Sequence, residues 1–469
     1  MQPGKELLFL KIISMHKVKS KKTKAKNAIQ MPVVNPYAAG IDISDKEHVI
    51  AVPEGLAADR VRNFGTMSCD LAAIIEWLEE CEIETVAMES TGVYWKPLFS
   101  MLVRKGFEVY LVNASHVKNV TGRKTDESDA MWIQKLHSCG LLKSSYLPDD
   151  EQEALRTLVR YRRTLVQDSS RFINRMQKSL ELMNIKFHTV ISDIIGKSGK
   201  AVIEAILQGE REGKKFLPLI DKRVKADKET IVKSLEGNWR AEHLFTLGES
   251  YKMYLIYKDR IAACDQEIEK QLQQYEVKRN DGIIEADQKP KVKPIQKRKD
   301  KNHPQFDVRR YLESIHGVDV LNIYGLSETC GLELLGETGT DLSKWENDNH
   351  FVSWLNLCPN NKISGGKLIS STLLKKRTNP ASQAFRQAAN AVQKSNNWLG
   401  DYFRRMKSKG GHKYAIVATA NKIARIYYRM VRYKQEFNPV QLEQYQQKYK
   451  QAKIAYLERK LSQLKNGTA

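Results

Sequence analysis

No apolar run in this chain of 469 residues approaches the roughly 20 residues that a membrane-spanning helix needs, which excludes a helical membrane protein. Cysteine is sparse: Cys69, Cys81, Cys139, Cys264, Cys330 and Cys358 lie far apart with no CxxC pair, and the ten histidines are equally dispersed. That scatter gives neither zinc-ligand spacing nor a disulfide framework, and it predicts reduced, mostly buried thiols in a cytosolic protein. The first residues do not read as a secretory signal. The apolar stretch near the start, LLFLKII, is broken by Lys11 and precedes a lysine cluster where a cleavage site would need small residues. Acidic residues are the scarcer charge, 55 against 77 Lys plus Arg, which leaves a formal net charge of +22. Such an excess favours a polyanionic partner, most commonly nucleic acid; a merely solvated basic surface and an anionic membrane are the weaker alternatives.

What the sequence does contain is organised in blocks. Residues 1–36 form a basic, irregular leader expected to be disordered in isolation. Over 37–148, AAGIDISDKEHVIAV reads as two strands about a turn, 61–66 as a third, and TVAMES and FEVYLVN as two more. DLAAIIEWLEE and KPLFSMLVRKG read as helices, with a further helix from Asp126 to Cys139, so this block predicts a mixed α/β sheet. Residues 149–277 switch to heptad-like spacing at Leu155, Leu158, Leu165, Phe172 and Met176, and again at Leu247, Tyr251, Tyr254, Ile261 and Ile268. Two long, coiled-coil-like helices fit these runs, antiparallel or paired with another subunit. Residues 278–310 lose periodicity and read as a basic linker. Over 311–436 the chain is again helical: a helix, Gly-containing turn and helix over 311–337, a glycine- and lysine-rich segment (CPNNKISGGKLISSTLLKKRTNP), then helices at about 380–406 and 414–436. Residues 437–469 form an amphipathic helical tail, an oligomerisation or surface element.

Four acidic residues stand out against this background: Asp42 in GIDIS, Glu89 in AMESTG, and Asp126 and Asp129 in KTDESDA. The first two end strand-like runs, and the last two share one face at a helix start. Carboxylates gathered from strand ends and a helix start suit hard divalent cations such as Mg²⁺ or Mn²⁺. Two such ions about 4 Å apart can hold a scissile phosphate, and in a basic protein that points to phosphodiester chemistry. Arg123 and Lys124 either contact a phosphate or balance the carboxylates. Ser364 lies in SGGK, where the glycines leave its hydroxyl open; read on its own, the tetrapeptide is a flexible turn with Lys367 touching phosphate.

The 37–148 block resembles the RuvC/RNase H-like nuclease fold, in which a catalytic Asp lies on the first strand. More narrowly, GIDIS, AMESTGVYWKPL and TGRKTDESDA together resemble the DEDD-type insertion-sequence transposases and the related Piv-type DNA invertases. The family's four acids form its metal site, so the resemblance assigns that role to Asp42, Glu89, Asp126 and Asp129. The C-terminal region resembles the second domain of the same transposases, which begins with a helix-hairpin-helix. Gly317 is retained there, while His316 and Asp319 stand where Pro and a second Gly are usual, and an Asp near a phosphate would repel it. The family's serine context matches Pro359, Ser364, Gly365, Gly366, Lys375, Lys376, Arg377 and Arg386, with Thr378 where Gly is commoner.

What the resemblance implies is a cytoplasmic, nucleoid-associated prokaryotic recombinase that cuts and rejoins donor and target DNA through a phosphoserine at Ser364. Metal ions held by the four carboxylates would assist it, a non-coding RNA would guide it, and it would act as a homo-oligomer, a dimer or tetramer. Gly365, Gly366, Lys367, Lys375, Lys376, Arg377 and Arg386, with Arg123 and Lys124, are the expected nucleic-acid contacts. Two alternatives remain open: a metal-dependent junction nuclease that hydrolyses DNA with water and is indifferent to Ser364, and a non-catalytic nucleic-acid-binding derivative.

Overall fold

In the computed structural model, residues 32–90, 92–112, 129–280, 301–373, 379–439 and 441–465 are described. The chain divides into two compact units, Met1–Leu147 and Pro148–Ala469.

The first unit is built on five strands: β1 (Ala38–Ile43), β2 (His48–Ala51), β3 (Val61–Phe64), β4 (Thr85–Glu89) and β5 (Glu108–Val112). Their spatial order is β3-β2-β1-β4-β5. The β1–β2 and β2–β3 pairs are antiparallel, and the β1–β4 and β4–β5 pairs are parallel. The sheet is therefore mixed, as the interleaved sequence pattern predicts. Three helices among the described residues accompany it: α1 (Ser68–Glu80), α2 (Trp95–Arg104) and α3 (Asp129–Ser138). The two central parallel strands are covered on both faces, which explains their nearly unbroken apolar runs. Ala39, Ile41, Ile43, Val86 and Met88 share one core with Leu71, Ile74 and Leu78 of α1 and Leu98 and Leu102 of α2. On the opposite face, Ala87 and Val112 pack with Ile133 and Leu136 of α3.

The second unit is mostly helical. Asp149 caps α4 (Asp150–Leu182) by accepting from the Gln152 backbone N–H at 2.7 Å. The shorter α5 (Lys197–Leu207) and α6 (Lys228–Ser234) precede the 40-residue α7 (Ala241–Asn280). α4 and α7 lie antiparallel, since Cys264 Sγ donates to the Leu158 carbonyl at 3.6 Å while Ser179 Oγ meets Thr246 Oγ1 at 3.0 Å. Between those points Arg162 is buried in an ion pair with Asp265, and its Nη2 also donates to the Asn302 carbonyl at 2.8 Å. That bond, with a Lys301–Asp193 ion pair at 2.6 Å, anchors the segment after residue 300. The linker expected over 278–310 is thus helical through Asn280 and anchored from Lys301; residues 281–300 lie outside the described part.

Beyond it come α8 (Val308–His316), α9 (Glu328–Thr338), α10 (Asp348–Trp354), a hairpin of β6 (Asn360–Ser364) and β7 (Lys367–Thr372), then α11 (Pro380–Ala391), α12 (Trp398–Tyr433) and α13 (Leu442–Lys465). α9 sits against α4: Arg160 donates to both Glu337 carboxylate oxygens at 2.6 and 2.8 Å, and Gln152 Nε2 donates to the Gly336 carbonyl at 3.2 Å. Phe351, Phe385, Tyr427 and Tyr428 form an aromatic centre. The helix expected over about 380–406 is instead two, because Asn397 caps a new start at Trp398. α12 is broken at Gly410 and Gly411, the latter at φ +80°.

Candidate active site

β1 presents alternate residues to its two faces. Ala39, Ile41 and Ile43 point into the core shared with α1 and α2, so Ala38, Gly40 and Asp42 point toward α3. α3 can lie this close because residue 40 has no side chain: a Cβ there would overlap the Gln134 backbone nitrogen and the Ala130 carbonyl, and would stand 2.7 Å from Gln134 Cα. Further down the helix, Gln134 Nε2 donates to the Ala38 carbonyl at 3.2 Å. At its end His137 Nε2 meets Thr85 Oγ1 at 2.9 Å, at the beginning of β4. The backbone N–H groups of Val34 and Asn35 both donate to the Ser138 carbonyl, and Asn35 Nδ2 donates to the His137 carbonyl at 2.9 Å. α3 therefore runs antiparallel to β1, which sets its first residue, Asp129, toward the C-terminal end of that strand.

Glu89 reaches the same region from β4. Ile41 pairs with Met88 in the parallel register, so Asp42 and Glu89 each follow one residue later on neighbouring strands, which lie roughly 4.8 Å apart. Ala87 packs with α3, and Glu89, two residues on, shares that face. Asp42 and Glu89 are half-buried, and Asp129 is exposed. Carboxyl groups at the C-terminal edge of parallel strands occupy the place where open α/β sheets bind ligands. Their all-oxygen donor chemistry suits a hard divalent cation. Among the described residues no group of three or more His, Cys, Asp or Glu side chains is close enough to hold an ion. Asp126, Arg123 and Lys124 lie outside the described residues.

Burial holds the His137 imidazole at a pKa of about 4, against a weaker opposing pull from Glu108, so the ring is neutral at pH 7. Neither His137 nor Gly40 stands out in the sequence as part of a site. The available signal was the run of small residues, Ala38-Ala39-Gly40, immediately before Asp42.

In the second unit, Ser364 and Lys367 are the closing pair of the β6–β7 hairpin. Gly365 and Gly366 form its two-residue turn at φ +54° and +74°, the double positive φ of a type I′ turn. A strand pair in a region expected to be helical apart from its turns is a departure from the sequence reading. Every residue from Asn361 to Ile369 is exposed, so the Ser364 hydroxyl is open to solvent. Lys375, Lys376, Arg377 and Thr378 lie outside the described residues. Arg386, on α11, is half-buried; its Nη2 donates to the Asn356 carbonyl at 3.4 Å, and burial lowers its pKa.

Gly317 takes φ +70° and ends α8, a use that suits glycine. His316 and Asp319 on either side are buried. Asp319 accepts from Arg309 Nη2 at 2.7 Å and Nε at 3.0 Å, and from the Leu321 backbone N–H at 3.1 Å. Its charge is met inside the fold, which removes the phosphate repulsion anticipated from sequence.

Two family models match this chain. Residues 39–185 match a DEDD-type model described as "Transposase", and residues 319–404 match "Transposase IS116/IS110/IS902 family". The chain belongs to the IS110 family of DEDD-type transposases. No curated protein matches it. A transposase of this family acts on DNA, and its DEDD domain is typically dependent on a divalent metal ion. The first match contains Asp42, Glu89 and the Asp126–Asp129 pair, and the second contains Ser364 and Arg386. No helix among the described residues is long and apolar enough to cross a membrane.

Proposed function

We propose that this IS110-family transposase is an RNA-guided DNA recombinase whose first unit is a RuvC/RNase H-like metal domain and whose Ser364 forms a covalent link to DNA. The observation that supports this reading is the placement of Asp42 and Glu89 at the C-terminal ends of neighbouring parallel strands, on the face covered by the helix that Asp129 heads. Asp42, Glu89, Asp126 and Asp129 would hold Mg²⁺ or Mn²⁺. A bound divalent ion supplies Lewis-acid stabilisation of charge developing on phosphate oxygens. Ser364 Oγ attacks phosphorus, forming a phosphoserine ester as the bond to one sugar oxygen breaks, and that oxygen leaves as a hydroxyl once protonated. Attack by the hydroxyl of a second strand reverses the step, releasing Ser364 and joining the strands. The exposed hairpin supports this role, because a nucleophile that must meet a duplex has to stand clear of its own fold. Lys367, Lys375, Lys376, Arg377, Arg123 and Lys124 would meet phosphates, a contribution that weakens steeply with salt. Arg386, facing a backbone carbonyl, would position this region instead of touching DNA.

The test combines the protein, Mg²⁺, the transcript from the element's end, and labelled donor and target duplexes on a denaturing gel. A labelled band at protein mass, present in wild type and absent in Ser364→Ala and Asp42→Asn, is the expected outcome. Cleavage of equal strength in Ser364→Ala, with no protein-linked band, would replace the serine step by hydrolysis. One observation favours that second reading: no described residue hydrogen-bonds the Ser364 hydroxyl, so no general base is assembled on it among the described residues.

A further inference from the structure

The second unit contains a cleft of about 280 Å³ between α4, the anchored segment at Lys301, α9 and α11. Its apolar wall is Val159 and Val166, Arg163 and Lys301 bring positive charge, and the exposed Gln387 lines it from α11. Glu333 of α9 also lines it, and this residue is only 9% exposed. Glu333 Oε2 is sealed from solvent, and no hydrogen-bond donor among the described residues reaches it. Arg163 pulls the Glu333 carboxyl toward ionisation, but burial outweighs that pull and raises its pKa. A buried acceptor left without a donor is destabilising, so a ligand that brings donors within its reach gains affinity.

The size and the donor requirement narrow the ligand. A cavity at the lower limit of ordinary ligand pockets, roughly 300 Å³, suits a single planar base better than a larger molecule. A carboxylate is matched by two adjacent donors. Among the common nucleobases only guanine carries N1–H and N2–H side by side on its Watson–Crick edge, the edge that proteins read in unpaired nucleic acid. Arginine and lysine flanking the opening suit the phosphates on either side.

We propose that this cleft holds one unpaired guanine of a single-stranded nucleic acid, with the Glu333 carboxylate turned into the cleft to accept from N1–H and N2–H and with Arg163 and Lys301, which pair with Gln383 and Asp193 in the free chain, turning to the flanking phosphates. The assignment rests on the reading of the chain as a nucleic-acid recombinase and adds a base-selective site to it. RNA and DNA share this chemistry, and the test separates them.

Fluorescence anisotropy of the full chain is measured with short labelled oligouridines carrying one central guanine, inosine or adenine, and with the corresponding oligothymidines. Inosine keeps N1–H and lacks the N2 amino group. Wild type should bind the guanine oligomer roughly five- to a hundredfold tighter than the inosine and adenine oligomers, the range for one bidentate base contact. A preference confined to the ribo- or deoxyribo-series names the natural source. Glu333→Gln should abolish the preference while leaving salt-sensitive binding to plain oligouridine intact. Gln387→Trp, which fills the cleft from an exposed position, should do the same without a change to the buried carboxyl. Equal affinity for guanine and inosine, or a preference that survives both substitutions, overturns the cleft assignment and leaves the recombinase reading standing. Absence of binding to every oligomer and to duplex DNA overturns both.

Discussion

Gly40→Ala tests whether the seat of α3 on β1 sets the carboxylate geometry. The added Cβ would stand 2.7 Å from Gln134 Cα, and the Gln134 nitrogen and Ala130 carbonyl are nearer still. All three atoms are backbone, so no side chain can swing aside. Bringing Gln134 Cα out to an ordinary contact of 3.4 Å already moves α3 by about 0.7 Å, and clearing the nitrogen takes a retreat on the order of 1 Å. Overpacking of this kind costs about 1–3 kcal/mol of stability. A misplacement of about 1 Å in a positioned group also lowers rates by roughly a hundredfold, and Asp129 heads the helix that moves. The assay pairs a urea titration with metal-dependent strand cleavage. Gly248→Ala, within α7, is the control: its added Cβ meets only the flexible end of Leu207 at 3.3 Å, and losing a mid-helix glycine contributes about 0.5–1 kcal/mol of stability. Unchanged stability in Gly40→Ala would refute the packing argument. A lower urea midpoint with undiminished cleavage would show that α3 does not position the chemistry.

Three further outcomes follow from the same geometry. Asp319→Ala should lower stability by about 1–3 kcal/mol, because it takes the carboxylate from Arg309, which keeps its bond to Asn322, and removes the cap on Leu321; if Asp319 instead repelled phosphate, the substitution would tighten DNA binding with stability unchanged. His137 has its pKa lowered to about 4 by burial, so its contribution to stability is complete above about pH 6.5 and is lost as pH falls toward 4, while the unfolded chain takes up a proton that the folded chain refuses. Amide-exchange protection of α3 should therefore weaken across that window by up to about 1.4 kcal/mol per pH unit, and His137→Gln should flatten the slope. Ser364→Ala should leave the urea midpoint within about 0.5 kcal/mol of wild type, since the residue is exposed at a hairpin turn; a larger loss would mean that the hairpin is packed against something.

Asp42 and Glu89 were legible because a strand has a period of two, and each acid interrupts an apolar run at its C-terminal end. The order of elements in the first unit followed from the same periodicity. Gly40 was not legible as a contact, because its role depends on a helix about ninety residues later whose backbone presses on it, and no local pattern records that approach. Asp319 misled for a related reason: its partner Arg309 lies on the preceding helix, ten residues back, so a carboxylate that reads as surface charge is neutralised within the fold. The β6–β7 hairpin carried its own signal, two glycines between short polar runs. Because both faces of the hairpin are exposed, no alternation of apolar and polar residues marked the flanking strands. The break near residue 397 was missed because Asn397 acts through its cap on the Gly400 N–H, whereas Gly410 and Gly411 attract the eye and kink a helix already under way.

These cases divide along a physical line. Residues that act through their own chemistry, such as acids at strand ends, are visible to a reader of sequence. Residues that act by leaving room or by holding an element in place are visible only once the backbone is closed around them. In this protein the second kind sets the first. The helix headed by Asp129 lies on this face of the sheet because Gly40 admits it and because His137, Gln134 and the Val34–Asn35 amides secure its far part. Substitutions at those positioning residues should therefore reduce metal-dependent activity while every candidate ligand stays in the sequence, a loss that inspection of the acidic motif alone would not foresee.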